Sequence, residues 1–262
     1  MLNAKSALSR LQAAHEVAKW GDAKSVESLT RALKKEKFWG AASEMASALG
    51  SVRTPAAYAA LRGFLAHPNP KVRRAVVQGL AEFKDPDLAK DLAPMARRDP
   101  SINVSAEAMR TLGGLRDVRL LPLFKSKLKE RSYWDVVKAG AIQGLANLRD
   151  PKAIPVLRKM TFPPTTNPAR LYAIRALSGY ASLSKDIVPW LCEYLEDEDE
   201  RVTFTAAQAL GRIEDERAVA PLEKIRDKTQ SVRLKTYADE AIARIRAGSD
   251  SDGGKPSKNR PT

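Results

Sequence analysis

The sequence predicts an all-α fold: an α-solenoid of about seven helical hairpins with a C-terminal capping helix. Three observations predict it. One helix-and-stop segment recurs, as VRRAVVQGLAEFKDP over Val72–Pro86, as VKAGAIQGLANLRDP over Val137–Pro151, and again from Val202 to Asp215. The central apolar residue of that segment defines eight anchors, Val17, Leu49, Leu80, Leu112, Leu145, Leu177, Leu210 and Ile242, spaced by 32, 31, 32, 33, 32, 33 and 32 residues. So steady a period marks stacked units, none of which can bury its apolar face alone. Finally, Pro122, Pro155, Pro189 and Pro221 each fall shortly after a segment of this kind. Proline costs little in the first turn of a helix, where backbone N–H groups have no intrahelical partner, so these residues place a second helix in each unit.

Counted from the anchor, apolar or small residues occupy −8, −4, −3, 0 and +3. In the fifth unit these are Val137, Ala141, Ile142, Leu145 and Leu148; in the first, Ala13, Ala14, Val17 and Trp20 supply the last four. At 100° per residue the five positions span an arc of about 140°, the stripe of a helix packed on neighbours. Alanine at −4 is expected to let adjacent helices approach closely. The first unit is a helix near 4–20 and another near 23–35. Hairpins follow at about 39–66, 70–98, 101–130 and 133–161. The three-proline stretch 161–168 is an inter-unit loop, followed by hairpins at 169–196 and 200–228. A lone helix near 231–246 ends the repeat domain, 1–246. The remainder, 247–262, is Gly, Ser, Asp, Lys and Pro with nothing to join a core, and is expected to be a disordered polar tail.

Composition narrows the class of function. Cys192 is the single cysteine, which fits a reducing compartment. Polar residues throughout Met1–Lys19 leave no signal-peptide core, and no apolar run approaches the roughly 18 residues of a membrane span. A cytoplasmic protein with no membrane contact is expected. The net charge of +14 is uneven: 17 basic and 11 acidic side chains in 1–109, 14 and 4 in 110–175, and 14 and 16 in 176–262. The excess of ten positive charges in the middle segment admits nucleic acid as an alternative partner, since phosphate neutralisation gives sequence-independent affinity.

The run Gly144-Leu145-Ala146-Asn147-Leu148-Arg149-Asp150-Pro151-Lys152-Ala153-Ile154-Pro155-Val156-Leu157 and its copies resemble HEAT repeats of the kind also found in phycobilisome-lyase-like proteins, over residues 9–246. The stretches Lys37-Phe38-Trp39-Gly40-Ala41-Ala42-Ser43-Glu44 and Ser132-Tyr133-Trp134-Asp135-Val136-Val137-Lys138-Ala139-Gly140-Ala141, with the order of the units, resemble the C-terminal HEAT region of aminopeptidase N-like zinc metallopeptidases. That resemblance implies an accessory region, with an aminopeptidase catalytic domain as a candidate partner. None of the catalytic domain is present.

No catalytic, metal or cofactor site is expected. His15-Glu16-Val17-Ala18-Lys19 begins like a zinc-binding His-Glu-x-x-His helix, but Lys19 stands where the second histidine belongs and Phe38 where the third ligand would come. A catalytic zinc needs three protein ligands, and His15 and His67 are the only histidines. The several His-Glu pairs of HEAT-fold deoxyhypusine hydroxylases are likewise missing.

Two charged series recur. Asp22, Asp85, Asp117, Asp150 and Asp215 stand at +5; Arg10, Arg73, Lys138, Arg170 and Lys235 stand at −7. Position −7 falls at about 20° on the helical wheel, inside the apolar arc, so its charge needs a partner. The turn aspartates are the expected one, forming a ladder between units. The outward positions −9, −5, −2 and +2 hold Lys71, Arg110, Arg175, Arg201 and Arg212 among Glu82, Glu107, Gln78, Gln143 and Gln208, a mixed groove. Lys125, Lys127, Lys129 and Arg131 fall on a second helix, on the opposite face. The expected function is a non-catalytic scaffold for protein–protein interaction. Arg110 and Arg175 are candidate contacts. So are Trp39 and Trp134, each starting a first helix, and Leu8 and Leu11, which lie near 180° and 120° on the first wheel, off the packed stripe.

Overall fold

A computed structural model describes residue 2 and residues 4–252, which form fifteen α-helices joined by turns and short 3-10 segments. Two compact units divide the chain, 1–150 and 151–262. The first unit holds the first helices α1 (Ala7–Ala18), α3 (Trp39–Val52), α5 (Pro70–Ala81), α7 (Ile102–Gly114) and α9 (Val136–Leu148). Alternating with them are the second helices α2 (Ala23–Lys35), α4 (Pro55–Arg62), α6 (Leu88–Arg98) and α8 (Leu121–Lys127). The second unit holds α10 (Ile154–Lys159), α11 (Asn167–Ser178), α12 (Ile187–Glu193), α13 (Glu200–Ile213), α14 (Val219–Lys228) and α15 (Val232–Asp252). In chain order these are seven first helices, each followed by a second, and then α15: the α-solenoid element order that the anchor spacing predicts. The last helix runs to Asp252, past the expected stop at 246, because adding a turn to a formed helix costs little. The rest of the expected tail, 253–262, lies outside the described residues.

Within each unit successive first helices pack side by side, α1 on α3, α3 on α5, α5 on α7 and α7 on α9, then α11 on α13 and α13 on α15. The anchors are the centre of that layer. Leu49, Leu80, Leu112, Leu145, Leu177 and Leu210 are fully buried, and Val17 and Ile242 nearly so. Each contributes on the order of 1.5–3 kcal/mol by leaving water. Glycines beside the anchors bring the backbones of two helix pairs together. A methyl group built on Gly50 would lie 2.6 Å from the Gly79 Cα, and one on Gly113 would lie 2.2 Å from the Gly144 carbonyl oxygen. Position +1 of one helix thus meets −1 of the next, backbone on backbone.

The same turn closes six of the first helices. Gly21, Arg53, Lys84, Arg116, Arg149 and Glu214, all at +4, adopt left-handed φ between 51° and 64°. A left-handed residue halts the helix and turns the chain. The aspartate at +5 then caps the start of the next segment. Asp22 accepts from the Ser25 N–H at 2.7 Å, Asp85 from Asp87 at 2.8 Å, and Asp117 and Asp215 from Arg119 and Arg217 at 3.0 Å each.

This corrects the expected ladder. The arginines at −7 bond to acids that come after the second helix. Arg10 holds Glu36 at 2.6 and 2.8 Å, Arg73 holds Asp99 at 3.0 and 2.8 Å, and Arg170 bonds Asp197. The reason is distance. Positions −7 and +5 are twelve residues apart, about 18 Å along a helix axis. The antiparallel second helix, by contrast, returns the chain to the level of −7. Each acid also accepts from the N–H two residues on, at Phe38, Ser101 and Asp199, at 2.9, 2.8 and 3.0 Å. Arg73 also donates to the carbonyls of His67 and Pro68 at 2.9 and 3.1 Å, and Arg10 to those of Ala4 and Lys5. One guanidinium therefore clasps the chain entering its unit to the chain leaving it. Lys138 bonds Asp135 in its own first turn, at 2.9 Å. Lys235 is half-buried and lies near Asp227, whose carboxyl its charge helps to hold low after the larger effect of the Arg226 hydrogen bond. Asp150 precedes the 3-10 turn Pro151–Ala153.

Candidate interaction surface

The outward face of the first unit's helices is a web of paired charges. One oxygen of Glu107 accepts from Arg74 at 3.0 Å, from Gln78 at 2.9 Å and from Arg110 at 2.8 Å, joining α5 to α7. Arg110 is thus committed to a neighbouring carboxylate, and its carbonyl accepts from Asn147. His15 meets Glu44 across α1 and α3 at 2.8 Å, and His67 accepts from the Asn69 N–H through Nδ1. Among the described residues no group of three or more His, Cys, Asp or Glu could hold a metal ion. Burial pushes the Cys192 thiol up to about 11, so the thiolate needed for nucleophilic attack is scarce at neutral pH.

The basic run does not all fall on a second helix: α8 ends at Lys127, and Lys129 and Arg131 follow it. The Lys127 ammonium is buried and donates to the Arg97 carbonyl and to Glu130, each at 2.7 Å, fastening α8 to the end of α6. Lys125, Lys129 and Arg131 remain exposed.

Exposed aromatic residues collect instead at the starts of the first helices. Phe38 and Trp39 open α3, with the Lys71 ammonium 3.6 Å from the Trp39 ring centre at the same level of α5. Leu8 is exposed at the corresponding level of α1, whereas Leu11 is half-buried. Tyr133 and Trp134 precede α9 and are 77% and 68% exposed. They are held there by a strained turn. Trp134 and Asp135 both take left-handed φ, 50° and 53°, a conformation that a bulky side chain adopts rarely and at a cost. Ser132 caps the turn through the Val137 N–H, and the Lys138–Asp135 pair braces it. The sequence marks these residues only as aromatic helix starts; the strain is invisible there.

Trp20, expected in the packed stripe, is 72% exposed. The last residue of α1 is Ala18, so Trp20 stands on the turn and borders an open concavity with Leu2, Val17 and Ala32. Trp190 is half-buried beneath the Arg158 guanidinium, 4.8 Å from its ring centre. In the second unit Arg175 is exposed and lines a separate concavity between α11, α13 and α15. The candidate contact residues are therefore dispersed: Leu8, Leu11, Trp39, Trp134 and Arg110 belong to the first unit and Arg175 to the second.

No helix among the described residues is long and apolar enough to cross a membrane. Among curated proteins, none matches the chain significantly in sequence. Among the solved structures similar in fold are two that align over most of the chain. YibA of E. coli is 20% identical, aligned over 93% of this chain and 90% of its own, with a TM-score of 0.56. The complex of CpcE and CpcF of phycocyanin lyase from Nostoc sp. PCC7120 is 18% identical, over 93% and 91%, with a TM-score of 0.52. At such identities the likeness establishes the fold alone. The family model for HEAT repeats matches residues 60–139, 89–162 and 164–243, more than half of the sequence. The chain belongs to the HEAT-repeat family.

Proposed function

We propose that the protein is a non-catalytic scaffold that binds a protein partner through the rim formed by the starts of its first helices. The observation that carries this reading is the Tyr133–Trp134 turn. A chain that holds Tyr133 and Trp134 in water, with Trp134 on a left-handed backbone, bears both an exposure and a strain cost, which a partner covering them would offset. Aromatic residues are the side chains that most often dominate protein interfaces. Phe38, Trp39 and Leu8 extend the same kind of surface to α3 and α1. A narrower reading, an aminopeptidase-like catalytic domain as the partner, is supported by the resemblance of Lys37–Glu44 and Ser132–Ala141 to the accessory region of those enzymes. These two stretches contain the exposed aromatics of the rim, Phe38, Trp39, Tyr133 and Trp134. The nucleic-acid alternative draws less support, because Arg74 and Arg110 on the outward face are bonded to Glu107 and Lys127 is buried.

The test compares affinity purifications of the wild type and a Trp39→Ala, Trp134→Ala variant with an unchanged melting temperature. The wild type is expected to retain one stoichiometric protein after nuclease treatment and at high salt, and the variant to lose it. Equal recovery by both, or a retained species that nuclease removes, overturns the proposal. A parallel purification with an aminopeptidase N-like catalytic domain as prey decides the narrower reading.

A further inference from the structure

The second unit carries its own binding surface, of different chemistry. Between α11, α13 and α15 lies an open concavity lined by Leu171, Arg175, Arg201, Phe204, Gln208 and Arg233. The three arginines are exposed. Asp199 engages Arg201 through Nε and Nη2 at 3.0 and 2.8 Å. The Arg233 guanidinium lies 4.3 Å from the Phe204 ring centre, and Phe204 meets the Tyr237 ring edge-on at 5.4 Å. Among the described residues no carboxylate forms an ion pair with Arg175 or Arg233. Apart from Asp199 and Glu200, two acids of this unit are drawn elsewhere. Glu193 pairs with Arg158 and Glu196 with Lys224, both next to second helices. The result is a local excess of guanidinium around an apolar floor.

From this arrangement we infer that the concavity binds an extended acidic peptide segment, carrying carboxylates with an apolar side chain between them. A guanidinium presents paired N–H donors that match a carboxylate. Stacking on Phe204 orients Arg233 before any ligand arrives, which reduces the entropy lost on binding. Neighbouring helix axes lie about 8–10 Å apart, so arginines on successive helices match carboxylates some three residues apart on an extended chain. Leu171 and Phe204 offer a floor for the side chain between them. Gln208 can both donate to and accept from a peptide backbone. Glu200 also borders the concavity; it repels carboxylates and phosphodiesters alike, but it can accept from a peptide N–H, a donor that a phosphodiester lacks. The hydrogen-bonding pattern therefore favours a peptide over a nucleic acid backbone. This surface is separate from the aromatic rim of the first unit.

The test uses the full chain and a fluorescein-labelled, end-capped peptide in which glutamates flank a central leucine at three-residue spacing, read by anisotropy at low salt. The wild type is expected to bind it and to bind the glutamine-for-glutamate version at least about tenfold more weakly. Arg175→Ala with Arg233→Ala is expected to weaken binding by a similar factor, while Lys159→Ala on α10 leaves it unchanged. Trp39→Ala with Trp134→Ala is also expected to leave it unchanged, so failure of the rim proposal does not decide this one. The inference is overturned by absence of binding, by equal affinity for the glutamine peptide, or by a double arginine variant that binds like the wild type. It is equally overturned if a labelled uridine dodecamer binds more tightly than the peptide and depends on the same arginines, which assigns the surface to nucleic acid.

Discussion

Single residues divide into those that fix the hairpins and those left for contact. Arg73 and Asp99 are both almost out of water and joined by two hydrogen bonds. Asp99→Ala strands a buried guanidinium, and urea unfolding should show a loss of about 3–5 kcal/mol. Asp215→Ala, which removes a half-buried cap, should lose only about 1 kcal/mol. Equal losses would show that the clasp has no special role. Lys84 holds φ at 51°, where an L side chain costs on the order of 1 kcal/mol. Lys84→Gly is therefore expected to raise the melting temperature slightly, against the usual effect of glycine; a clear drop would mean that the left-handed turn carries no strain. The sequence showed that an arginine at −7 needs a partner but pointed to the wrong acid. A separation of twelve residues looks short on paper and spans most of a helix in space. The right signal was present in Glu36, Asp99 and Asp197, each 19 or 20 residues after its anchor.

Helices were far more legible, because six of the first helices share one stop signal. The left-handed residue at +4 and the aspartate at +5 end one helix and cap the next, and a period near 32 residues leaves room for one hairpin and its two turns. What periodicity could not show is which small residues touch. Alanine at −4 and glycine at ±1 look equally permissive in sequence. Only the packing shows that Gly113 and Gly144 bring α7 and α9 into backbone contact. Gly113→Ala places a methyl group against a carbonyl oxygen that cannot move away alone, and should cost about 1–3 kcal/mol or more. Gly114→Ala, where an added methyl group meets nothing within 4 Å, should be neutral or stabilising as a helix substitution. Thermal unfolding of the two variants side by side checks this; similar melting temperatures would contradict the proposed helix contact.

The molecule as a whole is stabilised by many local pairs, and this sets its response to acid. Hydrogen bonds from Arg10, Arg119, Arg201 and Arg217 hold the carboxyls of Glu36, Asp117, Asp199 and Asp215 below their ordinary range. A carboxyl with a lower pKa in the folded chain stabilises fully above its unfolded value and loses that contribution as pH falls through the folded one. Urea midpoints should be level from pH 7 to about 5 and fall below about 4; a midpoint that rises on acidification would rule these pairings out. Membership of the HEAT-repeat family was readable from the repeat; of the proposed binding surfaces the sequence named Trp39, Trp134 and Arg175, but not the exposure and backbone strain at Trp134, which arise only in the fold. If the first-helix rim is where a partner protein binds, hydrogen–deuterium exchange of the purified complex will differ from that of the free chain at the rim. Exchange should slow at 8–11, 38–40 and 133–136, with the second helices α2, α4 and α6 unchanged. Protection confined to those second helices, with the rim exchanging as in the free chain, would place the partner elsewhere.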